Sequence, residues 1–215
     1  MARVMKAKGF RTKNTVALAR RLLGQVLVRT FPDGRQERHV ITEVEAYHGE
    51  RDRASHASRG RTRRNTPMFA PGGVWYVYLC YGVHEMLNLV TGPRDFPAAI
   101  LIRGVAGLAG PGRLTKALAI DRRLNGTPAA PVSGLHLETA GVRVPRRLVH
   151  AAPRIGVDYA GPVWARKPWR FFFDPRERPA PTQIRPTGKR SRAARGKALG
   201  VARCFSPRSE GTSAG

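Results

Sequence analysis

Residues 74–81 read Val-Trp-Tyr-Val-Tyr-Leu-Cys-Tyr, a stretch without charge or proline set between Gly72-Gly73 and Gly82. A short apolar run rich in β-branched and aromatic side chains and bounded by glycine predicts a strand inside a sheet. Gly82 predicts a tight turn, and Met86–Val90 the returning partner. Further strands are predicted over residues 25–30, 39–47, 98–103, 135–144 and 171–173, the first two joined as a hairpin through Pro32-Asp33-Gly34. Helices are fewer. Asn14 or Thr15 caps one over Val16–Leu23, with Gly24 as its stop, and Gly110-Pro111-Gly112 opens another over Arg113–Ile120. The pattern predicts one α/β or α+β domain with a mostly antiparallel sheet. A chain of 215 residues buries roughly 70% of its unfolded surface, so its core needs neither disulfide nor metal.

Charge narrows the function. The chain has 39 Lys and Arg against 14 Asp and Glu, a net +25. That excludes an average metabolic enzyme as the default and points to a polyanionic partner, nucleic acid before membrane. Part of the excess sits in residues 176–215, where Pro, Arg, Gly and Ser predominate and disorder is expected, but most of it belongs to the body of the chain. Residues 1–13 read as a basic arm, 14–175 as the folded domain and 176–215 as a basic tail. The basic N-terminus superficially suits a transit peptide, but the core-packing pattern of Thr15–Leu23 favours a cytosolic protein. No apolar run reaches the length of a membrane span. Cys80 and Cys204 stand alone, and the histidines lack metal-binding spacing, so neither metal nor cofactor is expected.

Several residues stand out against this background. Strand alternation puts Glu43, Glu45 and Tyr47 on one face. Carboxylates facing a polyanion are repelled, so they either form ion bridges with arginines or include a general base. Residues 48–73 form a long polar loop with His56, Arg59, Arg61, Arg63 and Arg64; the arginines are either a solvated charged surface or phosphate clamps. Tyr76 and Tyr78 share a strand face, and Tyr81 sits at the turn with its ring exposed. Such rings either simply suit a strand or stack on bases and wedge into a duplex. Asn88 is an amide among apolar residues, which needs partners or a ligand. Arg103 closes a buried strand and pairs with a carboxylate.

Taken in order, Glu43-Val44-Glu45-Ala46-Tyr47, His56, Arg64-Asn65, Met68-Phe69, Tyr76 to Gly82, Asn88, Leu101-Ile102-Arg103, Gly110 to Ile120, Arg154 to Asp158 and Lys167 to Phe171 closely resemble the alkyladenine (3-methyladenine) DNA glycosylase family. The likeness covers roughly residues 14–174. It implies a single compact domain with a curved antiparallel sheet and a protruding hairpin. It also implies a monofunctional, monomeric enzyme that flips a damaged purine (3-methyladenine, 7-methylguanine, hypoxanthine) out of duplex DNA and hydrolyses its N-glycosidic bond, leaving an abasic site. By the family pattern Glu45 is the base that activates water and Arg103 helps to hold that water. Tyr47, His56 and Tyr78 enclose the flipped base, Asn88 crowds the amino group of normal guanine, and Tyr81 is the wedge. Arg59, Arg61, Arg63, Arg64 and Lys116 are the expected phosphate contacts. The competing reading is a non-catalytic DNA- or RNA-coating protein of the same fold.

Overall fold

The computed structural model describes residues 3–139 and 143–177. They fall within one compact unit. The elements in chain order are β1 (Arg3–Val4), α1 (Thr15–Leu22), β2 (Val26–Thr30), β3 (Gln36–His48), β4 (Trp75–Cys80), β5 (His84–Val90) and β6 (Ala98–Val105). They continue with β7 (Leu108–Ala109), α2 (Pro111–Ala117), β8 (Leu135–Thr139), β9 (His150–Ala152), α3 (Gly161–Ala165) and β10 (Arg170–Phe172). The result is an α+β domain built on one large, open, antiparallel sheet in the order β1-β8-β2-β3-β6-β5-β4. The long strand β3 organises it. The first half of β3 pairs with β2, its second half pairs with β6, and β10 takes over the edge that β2 leaves, with Arg170 opposite Glu45.

Helix α1 forms where the sequence places it. The Asn14 side chain accepts a hydrogen bond from the Ala17 N–H at 3.0 Å, satisfying one of the free donors of the first turn. Thr15, Leu18, Ala19 and Leu22 are buried on one stripe and Arg20 and Arg21 lie outside it. That stripe packs in the main core with Val44 and Ala46 of β3, Ile100 and Ile102 of β6, and Phe171 of β10. Each buried Leu or Ile contributes about 1.5–3 kcal/mol. Because side chains alternate along a strand, Glu43, Glu45 and Tyr47 must point away from α1. This sheet therefore has an apolar face and a chemical face.

The structure differs from the sequence expectation in three places. The described part of the basic N-terminal arm, residues 3–13, is packed against the domain: β1 pairs with β8, and Phe10 is fully buried in the main core. Helix α2 starts at Pro111, where a fixed φ favours the first helical position and the missing N–H costs nothing; it gives way to Ala119 in the left-handed region, φ +47°. The strand expected over 135–144 ends at Thr139, and residues 140–142 lie outside the described residues. The expected disorder of the tail falls, from residue 178 on, outside the described residues as well. The long loop holds two 3-10 turns, His56–Arg59 and Thr66–Phe69. The two turns are tied together by buried Asn65, which donates to the carbonyls of His56 and Gly60 at 3.0 and 2.8 Å and accepts from the Thr62 N–H at 2.7 Å. Among the described residues no helix is long and apolar enough to cross a membrane.

Candidate functional site

On the chemical face lies a cavity of about 630 Å³. Four strands build its floor and walls: Glu45 and Tyr47 from β3, Tyr76 and Tyr78 from β4, Met86 and Asn88 from β5, Leu101 and Arg103 from β6. The loop 53–59 closes one side and residues 155–159 another. A volume of this order suits a small planar molecule.

Glu45 is 0% exposed as a residue yet lines this cavity. Three donors hold its carboxylate. The Tyr47 hydroxyl donates to Oε2 at 2.8 Å, the Ile155 N–H donates to Oε1 at 2.9 Å, and Arg103 Nη1 stands 3.3 Å from Oε1. Burial pushes the Glu45 carboxyl above the ordinary value of 4.5, against the opposing pull of Arg103, the Ile155 amide and Tyr47. A carboxylate raised in this way is a better base than one in water, and the donors fix where its free lone pairs point. Arg103 is shared: its Nε donates to Glu43 Oε1 at 3.1 Å, and Arg170 Nη1 donates to the same oxygen at 3.0 Å. The strand register between β3 and β6 shifts between Ile41, Glu43 and Val44, opposite Arg103 and Gly104. Irregularities of this kind commonly sit beside active sites. Of the two readings of the strand acids, Glu43 is thus an ion-bridge residue, and Glu45 both bridges and faces the cavity.

The aromatic walls meet at close range. His56 and Tyr78 are edge-to-face with centroids 4.5 Å apart, and Tyr76 and Tyr78 lie 5.2 Å apart. His56 Nδ1 hydrogen-bonds the Tyr76 hydroxyl at 3.0 Å. Burial, helped by the nearby Arg64 charge, lowers the His56 pKa, so the imidazole is neutral near pH 7. Burial raises all three phenols, Tyr76 to about 12 and Tyr47 and Tyr78 well above the ordinary 10, so they keep their protons. Asn88 is 3% exposed, and its amide donates to the carbonyls of Tyr76 and Met86 at 3.1 Å each. Its register opposite Tyr76 fixes it beside the aromatic wall.

Tyr81 is 89% exposed at the tip of the β4–β5 hairpin, and its φ is +49°. Left-handed backbone costs a residue with a Cβ about 1–2 kcal/mol. Gly82 follows at φ +72°. Two consecutive left-handed residues suit the twist of a tight hairpin. An exposed aromatic ring on strained backbone at the rim of a cavity is a pattern found at functional sites.

The expected cations divide. Arg59 is exposed at the cavity rim. Arg64 also lines the cavity, its guanidinium 5.2 Å from the Tyr78 ring centre and donating to the Leu79 carbonyl at 2.8 Å. Arg61 is ion-paired with Asp95 and packed 4.4 Å over the Phe69 ring, so it is tied to the protein. Arg63 and Lys116 are exposed outside the cavity lining.

One feature of the site has no signal in the sequence pattern. Asp52 and Arg154 form a fully buried ion pair, with Nη1 to Oδ2 at 2.6 Å and Nη2 to Oδ1 at 2.8 Å. Arg154 also donates to the carbonyls of Ala46 and Trp164 and lies 4.8 Å over the Tyr47 ring. Asp52 accepts from the His48 and Ala54 amides. The pair thereby locks the loop that carries His56 to the segment whose Ile155 amide holds Glu45. Tyr159, which lines the cavity from that segment, donates its hydroxyl to the Ala54 carbonyl at 2.9 Å.

Comparison with known proteins is consistent across the chain. A profile of the family described as methylpurine-DNA glycosylase (MPG) matches residues 9–108 and 105–177. A protein of Anaeromyxobacter sp. (strain Fw109-5) named "Putative 3-methyladenine DNA glycosylase" is 46% identical over 175 residues, covering 78% of this chain and 88% of the relative. Proteins of the same name from Myxococcus xanthus and Methanocella arvoryzae are 44% and 42% identical, each covering 77% of this chain and 88% and 90% of the relatives.

Proposed function

The chain belongs to the methylpurine-DNA glycosylase family, and from that premise we propose that it releases alkylated purines from duplex DNA by hydrolysis at Glu45. The observation that carries the reading is the buried Glu45 carboxylate, held by three donors in the wall of a cavity lined with tyrosines and a neutral histidine. A base stacked in a duplex is out of reach of water, so the nucleotide turns out into this cavity. Tyr81 fills the space it leaves, offsetting a few kcal/mol of unstacking. Tyr47, His56 and Tyr78 enclose the base, and Asn88 limits what fits at its edge.

In the step itself a water oxygen bonds to C1′ of the sugar and loses its proton to Glu45. The N-glycosidic bond breaks with its electron pair going to the purine, which leaves. Arg103 keeps Glu45 ionised and helps to hold the water. The carboxylate also stabilises the positive charge that develops on the sugar. A purine methylated on a ring nitrogen is a cation, which aromatic faces attract and which departs readily; 3-methyladenine and 7-methylguanine are the expected substrates, with hypoxanthine slower. Arg59, Arg63, Arg64 and Lys116 contact phosphates, and Arg61 does so on leaving Asp95. The product is an abasic site, and the enzyme works as a monomer in the cytoplasm, at the nucleoid.

The test is single-turnover release of base from duplexes holding 3-methyladenine, 7-methylguanine or hypoxanthine, with chelator present and Glu45→Gln alongside. Release by the wild type and not by Glu45→Gln is the expected result. Release undiminished in Glu45→Gln removes it as the base. Absence of release from any duplex, with salt-sensitive binding intact, moves the chain to a non-catalytic nucleic-acid-binding role.

A further inference from the structure

A second groove, of about 800 Å³, runs beside α1. Arg20 and Arg21 of the helix line it, together with Arg143 and Arg146 and with Asn14, the N-cap of the helix. Among the described residues that line it there is no carboxylate. None of the four arginines is in an ion pair with a described residue; Arg20 stacks 4.6 Å over the Phe171 ring and the other three have no protein partner there. Unpaired arginines occur elsewhere among the described residues, Arg59 and Arg63 among them, but here four gather around one concave surface that holds no acid to match them. The strand, loop and hairpin acids are matched with arginines almost everywhere else: Glu43 with Arg103, Glu85 with Arg122, Asp121 with Arg123, Glu138 with Arg38. Four unmatched guanidiniums around one concave surface repel one another, and an anion seated among them relieves that repulsion.

The groove cannot be an extension of the base cavity. Leu18 and Leu22 of α1 pack with Val44 and Ala46 on one face of the sheet, and Glu45 and Tyr47 leave the other face. Phe171, under Arg20, belongs to the α1 side. The two concavities are therefore separated by the sheet and its core. Duplex DNA is stiff, and bending a short site sharply is costly. A duplex engaged at the Tyr81 hairpin does not turn back around the protein to reach the groove.

We propose that the α1 groove is a second nucleic-acid contact, which takes the phosphates of a DNA segment other than the one at the base cavity. Arg21, Arg143 and Arg146 are the phosphate contacts, and Arg20 supports them from its stack on Phe171. The protein then holds two segments at once, and passes from one to the other without first being free in solution. The contact is electrostatic and indifferent to sequence, and it is independent of whether Glu45 releases bases.

Two short undamaged duplexes, one carrying a donor dye and one an acceptor, test this with the full chain. The wild type is expected to bring them together, giving energy transfer that salt abolishes at about 0.9 in log–log slope per phosphate contact. Competitor DNA is expected to accelerate its departure from a labelled duplex in proportion to competitor concentration. The triple variant Arg21→Glu, Arg143→Glu, Arg146→Glu is expected to lose at least tenfold of the bridging signal and the competitor dependence. Its single-turnover base release and melting temperature are expected to stay within twofold and a few degrees of the wild type. Bridging that persists in the variant, or that the wild type never shows, overturns the proposal. So does a groove that binds anionic vesicles or an acidic peptide in preference to duplex. The matching glutamine variant, which adds no negative charge, is expected to lose bridging to an intermediate degree, and full bridging there overturns it equally.

Discussion

Glu45 combines two demands that conflict at the level of a single residue. The base must be ionised to accept a proton, yet burial raises its carboxyl pKa. The native state therefore binds this proton more tightly than the unfolded chain does. Its favourable contribution to stability is complete below the unfolded value and is lost as pH rises through the raised folded value. Glu45→Gln is accordingly expected to lower single-turnover release by roughly 10²- to 10⁴-fold while holding or raising the melting temperature at pH 7, where calorimetry would show it. The release rate of the wild type should fall on the acid side with a midpoint above 4.5, the ordinary value for this group; a midpoint at or below it contradicts the assignment. At Tyr81 the expected cost of removing the ring is one lost stack, about 1–3 kcal/mol, on the flipping equilibrium of a fluorescent base analogue. An unchanged equilibrium in Tyr81→Ala refutes the wedge. The places of both residues, one in the cavity wall and one at the hairpin tip, were legible in the sequence because each breaks a local rule: a carboxylate inside a strand of a basic protein, and a tyrosine against the glycine of a turn.

Between elements, the main contest is between local propensity and tertiary pairing. The strand β4 and helix α1 were legible because their apolar spacing and flanking glycines are local signals. The segments around β9 and α3 were not, because each is short and interrupted by Pro153, Gly156, Gly161 and Pro162. They are ordered by partners far away: β9 by β10, and Arg154 by Asp52 across 102 residues of sequence. The loop after β3 likewise looked irregular from its composition, and its order comes from Asp52 and Asn65. Removing one member of a fully buried ion pair leaves the other charge unmatched, a loss of about 3–5 kcal/mol. Asp52→Asn is therefore expected to lower stability by an amount of that order in urea unfolding, and to weaken base release in the fraction that stays folded, since both the His56 loop and the Ile155 amide lose their tie. The N-terminal residues make a parallel case. Phe10 is fully buried, so Phe10→Ala is expected to cost about 3–5 kcal/mol, whereas a free basic arm would tolerate the change within error.

For the molecule as a whole, charge and fold answer different questions. The net +25 points to a polyanion but does not locate it, because charge is a property of composition and its placement depends on which face each strand turns outward. The sheet sends Glu45 and the tyrosines to one face and sets the unmatched arginines of the α1 groove on the other. The basic residues after Glu177 add to the net charge and so to the attraction. A chain ending at Glu177, where the family match also ends, is expected to show a shallower dependence of duplex binding on salt and an unchanged single-turnover rate. A lost rate would mean that the tail takes part in the reaction.

The tie between Asp52 and Arg154 sets the order in which this enzyme becomes one. A ribosome makes the strand that carries Glu45 early, but the amide that holds its carboxylate, the strand β10 beside it and the arginine that fixes the loop arrive about a hundred residues later. At roughly 5–20 residues per second, the nascent chain spends several seconds with the Glu45 carboxylate made but not yet held. A message cut short before Arg154 thus yields a product that keeps most of the positive charge, and so its attraction to DNA, without an assembled site to act there.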